Sequence, residues 1–196
     1  MKIFVKKNGV VLPTQATPDD AGYDIIATTE GKITGQFIER PFDGMKVWSR
    51  VAFIEYGTNL FIAPEDAQYE NHEFVTDGGA EVATISTQKF HTLLHPRSSI
   101  SKYNLVLANS VGLVDNGYRN QILVRFKYIF QPEDLVIVPE AGVNKVYGMV
   151  RPEYIYNKGE KIVQIKASPN IPIEWVEVEN LNETERGLGG FGSTGK

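Results

Sequence analysis

Asp115 and Tyr118 stand three residues apart in the stretch Asn109-Ser110-Val111-Gly112-Leu113-Val114-Asp115-Asn116-Gly117-Tyr118-Arg119. Neither is needed there for packing. The apolar residues on either side, Tyr103 to Ala108 and Gln121 to Phe126, predict two β-strands. Gly112, Asn116 and Gly117 supply the turn chemistry of a long hairpin between them. Such a finger can hold a flat, polar ligand against free main-chain N–H and C=O groups. A carboxylate near its tip can also hold and partly deprotonate a water, which is what cleaving a phosphoanhydride requires. An ordinary β-turn uses Asp and Tyr as well, so other residues must decide.

Arg97-Ser98-Ser99 offers a fork of donors followed at once by two hydroxyls. Pro96 in front and Ile100 to Tyr103 behind suit a short helical turn facing an anion. A serine cap beside a surface arginine is the plainer alternative. Gln164 sits between Val163 and Ile165 on a predicted strand, where its amide could bond a phosphate oxygen or simply line a strand edge. Asp24 follows Gly22-Tyr23. The stretch Arg186 to Gly195 holds five glycines in ten residues around a lone Phe191. It will not order without a ligand. Gly190 to Lys196 matches the GxxxxGK spacing of a P-loop, but Glu183-Thr184-Glu185-Arg186 is not the strand that must precede one. His91 and His95 lack the Glu of a zinc hydrolase. A strand through Thr92-Leu93-Leu94 puts both on one face, as satisfied or exposed structural histidines. Trp48 and Trp175 are expected in a core or an interface.

Five of these stretches, taken in order, resemble the signature motifs of the trimeric dUTPase family. They are Ala21-Gly22-Tyr23-Asp24-Ile25, Pro96-Arg97-Ser98-Ser99, Asn109 to Arg119, Gly159-Glu160-Lys161-Ile162-Val163-Gln164, and Arg186-Gly187-Leu188-Gly189-Gly190-Phe191-Gly192-Ser193-Thr194-Gly195. The resemblance covers the motifs and their flanks, not residues 28–89 or 128–157. It implies a metal-dependent dUTP diphosphatase releasing dUMP and diphosphate, which limits uracil in DNA. Asp115 would orient the water attacking the α-phosphorus and touch the 3′-hydroxyl. Tyr118 would lie under the sugar and refuse ribose. Main-chain groups around Leu113, Val114 and Leu123, with the Asn109 side chain, would read uracil. Arg97, Ser98, Ser99 and Gln164 would hold phosphates. Phe191 and Gly192 would cover the base, while Arg186, Ser193 and Thr194 take the γ-phosphate. Mg²⁺ is the implied cofactor, with Asp24 reaching it through water. The implied assembly is a homotrimer with each site shared between subunits.

Two departures stand out. Asn120 replaces a usual glycine, and Ser99 stands where many relatives have glycine. The related dCTP deaminases share Arg-Ser-Ser, but have Trp where Tyr118 stands and a catalytic Glu where this chain has Arg125. A regulatory binding protein on the same fold, acting through residues 28–89 or 128–157, is the other alternative.

The elements that must position these residues read as strands: Met1 to Val5, Ile25 to Ala27, Lys46 to Glu55, Asn59 to Ala63, Ala83 to Leu94, Asn104 to Ala108, Ile122 to Phe130 and Lys161 to Ala167. Breakers separate them at short intervals and no long 3.6-residue period appears, which predicts an all-β barrel or sandwich. The resemblance narrows this to a distorted jelly roll, or β-clip. Residues 1–185 are expected as one β domain with extra regions at about 28–89 and 128–157, and residues 186–196 as a flexible arm. At 196 residues and 42% hydrophobic content, one sizeable core is affordable. A net charge of −4 argues against duplex nucleic acid as a partner. The chain has no cysteine, so disulfide, thiolate-zinc and cysteine-nucleophile chemistry drop out. No apolar run approaches the roughly 20 residues of a membrane span. A soluble, cytoplasmic protein is expected, in the host's cytoplasm if viral. The acidic runs in 28–89 and the tyrosine-rich end of 128–157 suggest lengthened outer hairpins, or a docking surface for a protein partner.

Overall fold

The computed structural model describes residues 2–6, 9–74 and 81–185. In chain order the strands are β1 (Ile3–Val5), β2 (Tyr23–Ile26), β3 (Lys32–Glu39), β4 (Lys46–Gly57), β5 (Ile62–Pro64), β6 (Ala67–Phe74), β7 (Glu81–Gln88), β8 (Phe90–Pro96), β9 (Leu105–Leu107), β10 (Gly112–Val114), β11 (Leu123–Tyr128), β12 (Leu135–Glu140), β13 (Val143–Gly148) and β14 (Lys161–Pro169). The only helical pieces among the described residues are short 3₁₀ turns, at Ser98–Lys102, Pro132–Asp134 and Pro152–Tyr154. The fold is all-β and jelly-roll-like, as the alternating sequence predicts.

Two sheets enclose the main core. One has the order β10-β8-β14-β2; the other runs β12-β13-β4-β11-β9, with β3 added to β4. Strict alternation drives the packing. Along β11, Val124, Phe126 and Tyr128 turn inward and are buried, while Leu123, Arg125 and Lys127 stay exposed. They meet Leu94, Val163 and Ile165 from the opposite sheet. Tyr56, Phe126, Tyr156 and Tyr103 stack as tilted or edge-on rings with centroids 4.2–6.3 Å apart, and such a pair contributes about 0.5–1.5 kcal/mol beyond its buried area. Tyr56 donates to the Tyr156 carbonyl at 3.0 Å, and Tyr103 donates to Glu160 at 2.9 Å. Burial first, and then that carboxylate, pushes the Tyr103 hydroxyl up to about 12.

Several element boundaries differ from the sequence expectation, each for a local reason. Asn59 takes a left-handed backbone (φ 52°), so the strand read from Asn59 begins only at Ile62. The run Ala83 to Leu94 breaks at Lys89 into β7 and β8. β3 escaped the reading because Gly35 interrupts it at a bulge. A Cβ there would lie 2.0 Å from the Arg50 carbonyl oxygen, so glycine is required where the two strands approach.

The two extra regions contain antiparallel hairpins: β3–β4 and β6–β7 in the first, β12–β13 in the second. The β12–β13 turn is Ala141-Gly142, with φ of 48° and 81°, the sign pattern of a two-residue type I′ connection. This hairpin is tied to the body. Val138 and Tyr147 pack on Val47. At its base Asp134, fully buried, meets Arg151 in a 2.8 Å charge contact and accepts from the Gln131 N–H and the Tyr128 hydroxyl at 2.8 and 3.1 Å. Trp48 is a core aromatic stacked on Phe37, whereas Trp175 is 88% exposed in this chain.

Candidate active site

β9 and β11 pair antiparallel, with Leu107 opposite Phe126, as a hairpin requires. The finger between them is more than a turn. Ser110, with φ 60°, makes the tight reversal that the sequence reading assigned to Gly112. Gly112 instead opens β10, which crosses to the other sheet and pairs with β8, Gly112 opposite Leu94 and Val114 opposite Thr92. A Cβ at Gly112 would come 3.1 Å from the Leu94 Cβ and 3.2 Å from the Asn109 amide nitrogen, so its role is close approach.

Beyond β10, Tyr118 donates its backbone N–H to the Asp115 carbonyl at 3.0 Å and its hydroxyl to the Gln121 carbonyl at 2.9 Å. The Asn120 side chain accepts from the Gln121 N–H at 2.7 Å. Asn120 itself is not left-handed. Its carboxamide closes the turn from outside, so this departure from glycine needs no unusual backbone. Thr58, Asn59 and Leu60 hold the returning chain through bonds to Ile122 and Gln121 of 2.6–3.0 Å.

The finger encloses a cavity of about 200 Å³ lined by Asn109, Leu113, Val114, Asp115, Tyr118 and Leu123, with Gly112, Leu94 and Ile122 at its floor. Pockets for drug-sized ligands begin near ~300 Å³; this one has room for a single ring, and a second cavity of about 430 Å³ shares its Leu94, Asn109, Tyr118 and Leu123 walls. β10 is an edge strand of its sheet, which leaves one of its main-chain edges without a strand partner among the described residues. Asp115 lines the cavity and is exposed.

The second constellation lies on the outer face of the same sheet. Asp24 on β2 is buried, yet it accepts from three side chains. Arg97 Nε reaches Oδ1 at 2.8 Å, Gln164 Nε2 reaches Oδ1 at 3.1 Å, and Lys161 Nζ reaches Oδ2 at 2.8 Å. Arg97 directly follows β8, caps the Ser98–Lys102 turn and also offers Nη1 to Ser99 at 3.4 Å. Ser98 is exposed. Desolvation works to raise the Asp24 pKa, but the Lys161, Arg97 and Gln164 contacts outweigh it and hold the carboxyl below 3.8. A depressed carboxylate pKa contributes stability above the ordinary value, which is lost as pH falls through the folded one. The stability gap between wild type and Asp24→Asn is therefore expected to narrow as pH drops below 3.8. Thermal melts across an acid pH series check this; a gap constant with pH contradicts it.

Lys161 is the residue that sequence reading passed over. Strand alternation puts Lys161 and Gln164 on opposite faces. A bulge between Lys161 and Val163 absorbs one residue, so Lys161 opposes Ile26 while Gln164 opposes Asp24, and both reach one carboxylate. Ile162 and Val163 are both fully buried. That adjacent apolar pair was the available signal.

The finger cavity and the Asp24 cluster share no residue. Arg186, Phe191, Gly192, Ser193 and Thr194 lie outside the described residues. His91 meets the Asn170 side chain through Nδ1. His95 is neither exposed at its Nε2 nor satisfied there: that atom is buried without a partner among the described residues.

No protein-family profile matches the chain. A deoxyuridine 5′-triphosphate nucleotidohydrolase of Rickettsia bellii (strain OSU 85-389) is 32% identical over 149 residues, covering 72% of this chain and 85% of that protein. The chain belongs to the dUTPase family. A second member, from Finegoldia magna, is 28% identical over 198 residues, covering 100% of this chain and 99% of that protein. Among solved structures, a mutant dUTPase of Staphylococcus bacteriophage 80alpha with dUpNHpp superposes with a TM-score of 0.59 at 22% identity, over 100% of this chain and 99% of that one. A mutant dUTPase from phage phi11 of S. aureus, described for the coordination of a structural Mg(II) ion, gives 0.51 at 19% identity over 93% and 100%. These likenesses support the jelly-roll architecture. The deaminase alternative gains nothing from them. Arg125, at the position of the deaminase Glu, is committed to an ion pair with Glu55 at 2.7 Å and lies over the Phe53 ring at 4.3 Å. No helix among the described residues is long and apolar enough to cross a membrane.

Proposed function

We propose that this chain is a dUTP diphosphatase that hydrolyses dUTP to dUMP and diphosphate by water attack on the α-phosphorus. The observation that carries this reading is an exposed Asp115 on the rim of a single-ring cavity walled by an unpaired strand edge. Uracil presents alternating acceptors and a donor on one edge, which the free main-chain groups of β10 can match as an added strand would. Thymine is refused because the hairpin closes on the ring edge that would carry its 5-methyl group. Cytosine fails because its inverted donor and acceptor pattern leaves buried polar groups unpaired. Tyr118, pinned through its hydroxyl, forms the wall against which deoxyribose lies, and a 2′-hydroxyl would collide with it. Asp115 then receives a proton from the attacking water at a carboxylate oxygen.

Arg97, Ser98, Ser99 and Gln164 receive the phosphates. Arg97 gives Nε and, at 3.4 Å, Nη2 to Asp24 and Nη1 to Ser99, so the second N–H of each outer nitrogen is what it can offer an anion. Magnesium is the expected ion. Among the described residues no group of three or more His, Asp or Glu side chains could cage a cation, and both Asp24 oxygens already face lysine and arginine. That donor set fits an ion held mainly by the triphosphate and its own waters, as Mg²⁺ commonly prefers. The ion's contribution is to neutralise phosphate charge.

The homotrimer that the family resemblance implies would complete the site by joining the finger of one copy to the Asp24 cluster of another. Segment 170–185 supports this. It carries Ile171, Ile173, Trp175, Val176 and Leu181 at 67–88% exposure, with no strand partner among the described residues. Such a run is an interface surface rather than a solvated one. A monomer by light scattering at full turnover removes the shared site. Truncation after Glu185 is expected to lower kcat/KM by about a hundredfold or more while leaving the melting temperature unchanged, since a closing segment excludes water and completes the site. A fully active truncated protein contradicts that role for Phe191 and its neighbours.

The test of the whole reading is a turnover panel of dUTP, dCTP, dTTP and UTP, with and without Mg²⁺. Diphosphate release from dUTP alone, abolished by chelation, is the expected result. Ammonia release from dCTP, or no turnover of any of the four, overturns it.

A further inference from the structure

His95 has no task in the chemistry above, yet its position is specific. Across β8, β14 and β2 the register places His95 opposite Gln164 and Gln164 opposite Asp24. Their neighbours Leu94 and Ile165, also paired, are buried in the core, so this row of three faces the other way. His95 and Gln164 line a cavity of about 190 Å³ with Gly22 and Lys166. The His95 Nε2 is buried and makes no hydrogen bond with any described residue.

A primary amide has two N–H donors and one acceptor oxygen. One Gln164 N–H is spent on Asp24 at 3.1 Å. The Gln164 oxygen lies beside Gly22, where an added Cβ would approach it to 3.6 Å. Among the side chains lining the cavity that oxygen is the one acceptor available to an imidazole N–H, because Lys166 only donates.

We propose that His95 is a positioning residue for Gln164, donating from Nε2 to the amide oxygen when the phosphate site is filled. The amide is then held at both ends, by His95 at oxygen and Asp24 at nitrogen, and its second N–H is directed at a phosphate oxygen. Glycine at position 22 serves the same arrangement, since a Cβ there would come 3.1 Å from the Gln164 Cβ.

The inference rests on the dUTP reading, and the test separates the two. Steady-state kinetics are compared for wild type, His95→Phe, which keeps a ring and removes the donor, and His95→Gln, whose amide nitrogen reaches about as far as Nε2. His95→Phe is expected to raise the KM for dUTP about five- to tenfold, the effect of one lost hydrogen bond. The kcat should stay within about twofold of wild type. Inhibition by deoxyuridine, which has no phosphate, should be unchanged, and His95→Gln should recover most of the KM. A wild-type KM in His95→Phe overturns the proposal, as does equal impairment of the Phe and Gln variants, which would mark a packing role. If His95→Phe loses its thermal transition, His95→Leu replaces it in the same comparison. A wild-type enzyme inert toward dUTP fails the underlying reading instead.

Discussion

Asp115→Asn is expected to bind dUTP with near wild-type affinity and to turn it over about 10²–10⁴-fold more slowly, the range that a lost general base accounts for. The carboxamide keeps the size of the side chain and its place on the exposed rim, so the finger should retain its shape. What disappears is the capacity to take a proton from water. The kinetic signature discriminates between roles. A group acting only in the transition state lowers kcat and kcat/KM together, whereas a group that merely holds the 3′-hydroxyl raises KM and leaves kcat alone. Single-turnover rates, with calorimetric titration by dUpNHpp, separate these outcomes. Near-normal turnover in Asp115→Asn removes Asp115 from the chemistry.

The second large effect concerns stability and lies at the base of the β12–β13 hairpin. Arg151→Met should destabilise the fold by about 3–5 kcal/mol, the usual cost of stranding one member of a buried ion pair. Asp134 is the member left behind, fully buried, with only the Tyr128 hydroxyl and one backbone N–H for company. The Arg151–Asp134 contact is a charge contact at 2.8 Å rather than an aligned hydrogen bond. Its value therefore lies in neutralising the carboxylate. The double variant Arg151→Met/Asp134→Leu should recover much of the loss, because no charge then remains buried. Denaturant unfolding measures both. A single variant within about 1 kcal/mol of wild type, the level of an exposed pair, places Asp134 in water.

What the sequence made legible follows the physics of strands. Alternation found β11 and β14, and the turn residues around Asp115 located the finger. It did not reveal that the finger's middle is itself a strand, because β10 has only three residues and its partner β8 is distant in sequence. The Asp24 cluster was half visible: Asp24, Arg97 and Gln164 stood in their motifs, while Lys161 depended on a bulge that breaks the two-residue period. His95 shows the same blindness in another form. Parity placed it on a face with His91, but only the register of three strands reveals that this face carries Gln164 and Asp24. The buried Asp134–Arg151 pair joins residues 17 positions apart around an entire hairpin, and no local pattern announces it.

The comparison with known proteins and the geometry meet at one point. Family membership rests on a Rickettsia relative 32% identical to the chain, and the residues it would predict for catalysis fall into two separate groups on one protomer. In the proposed homotrimer, the finger proposed to read the base and the cationic face proposed to take phosphates are brought together by neighbouring copies.

The most direct measurement is a crystal structure of the protein with dUpNHpp and Mg²⁺. The account predicts the uracil ring seated between the free edge of β10 and the start of β11, with the Asp115 carboxylate facing the α-phosphorus across a water and Gln164 on an α-phosphate oxygen. A pyrimidine bound elsewhere, or an Asp115 side chain turned away from that phosphorus, contradicts it.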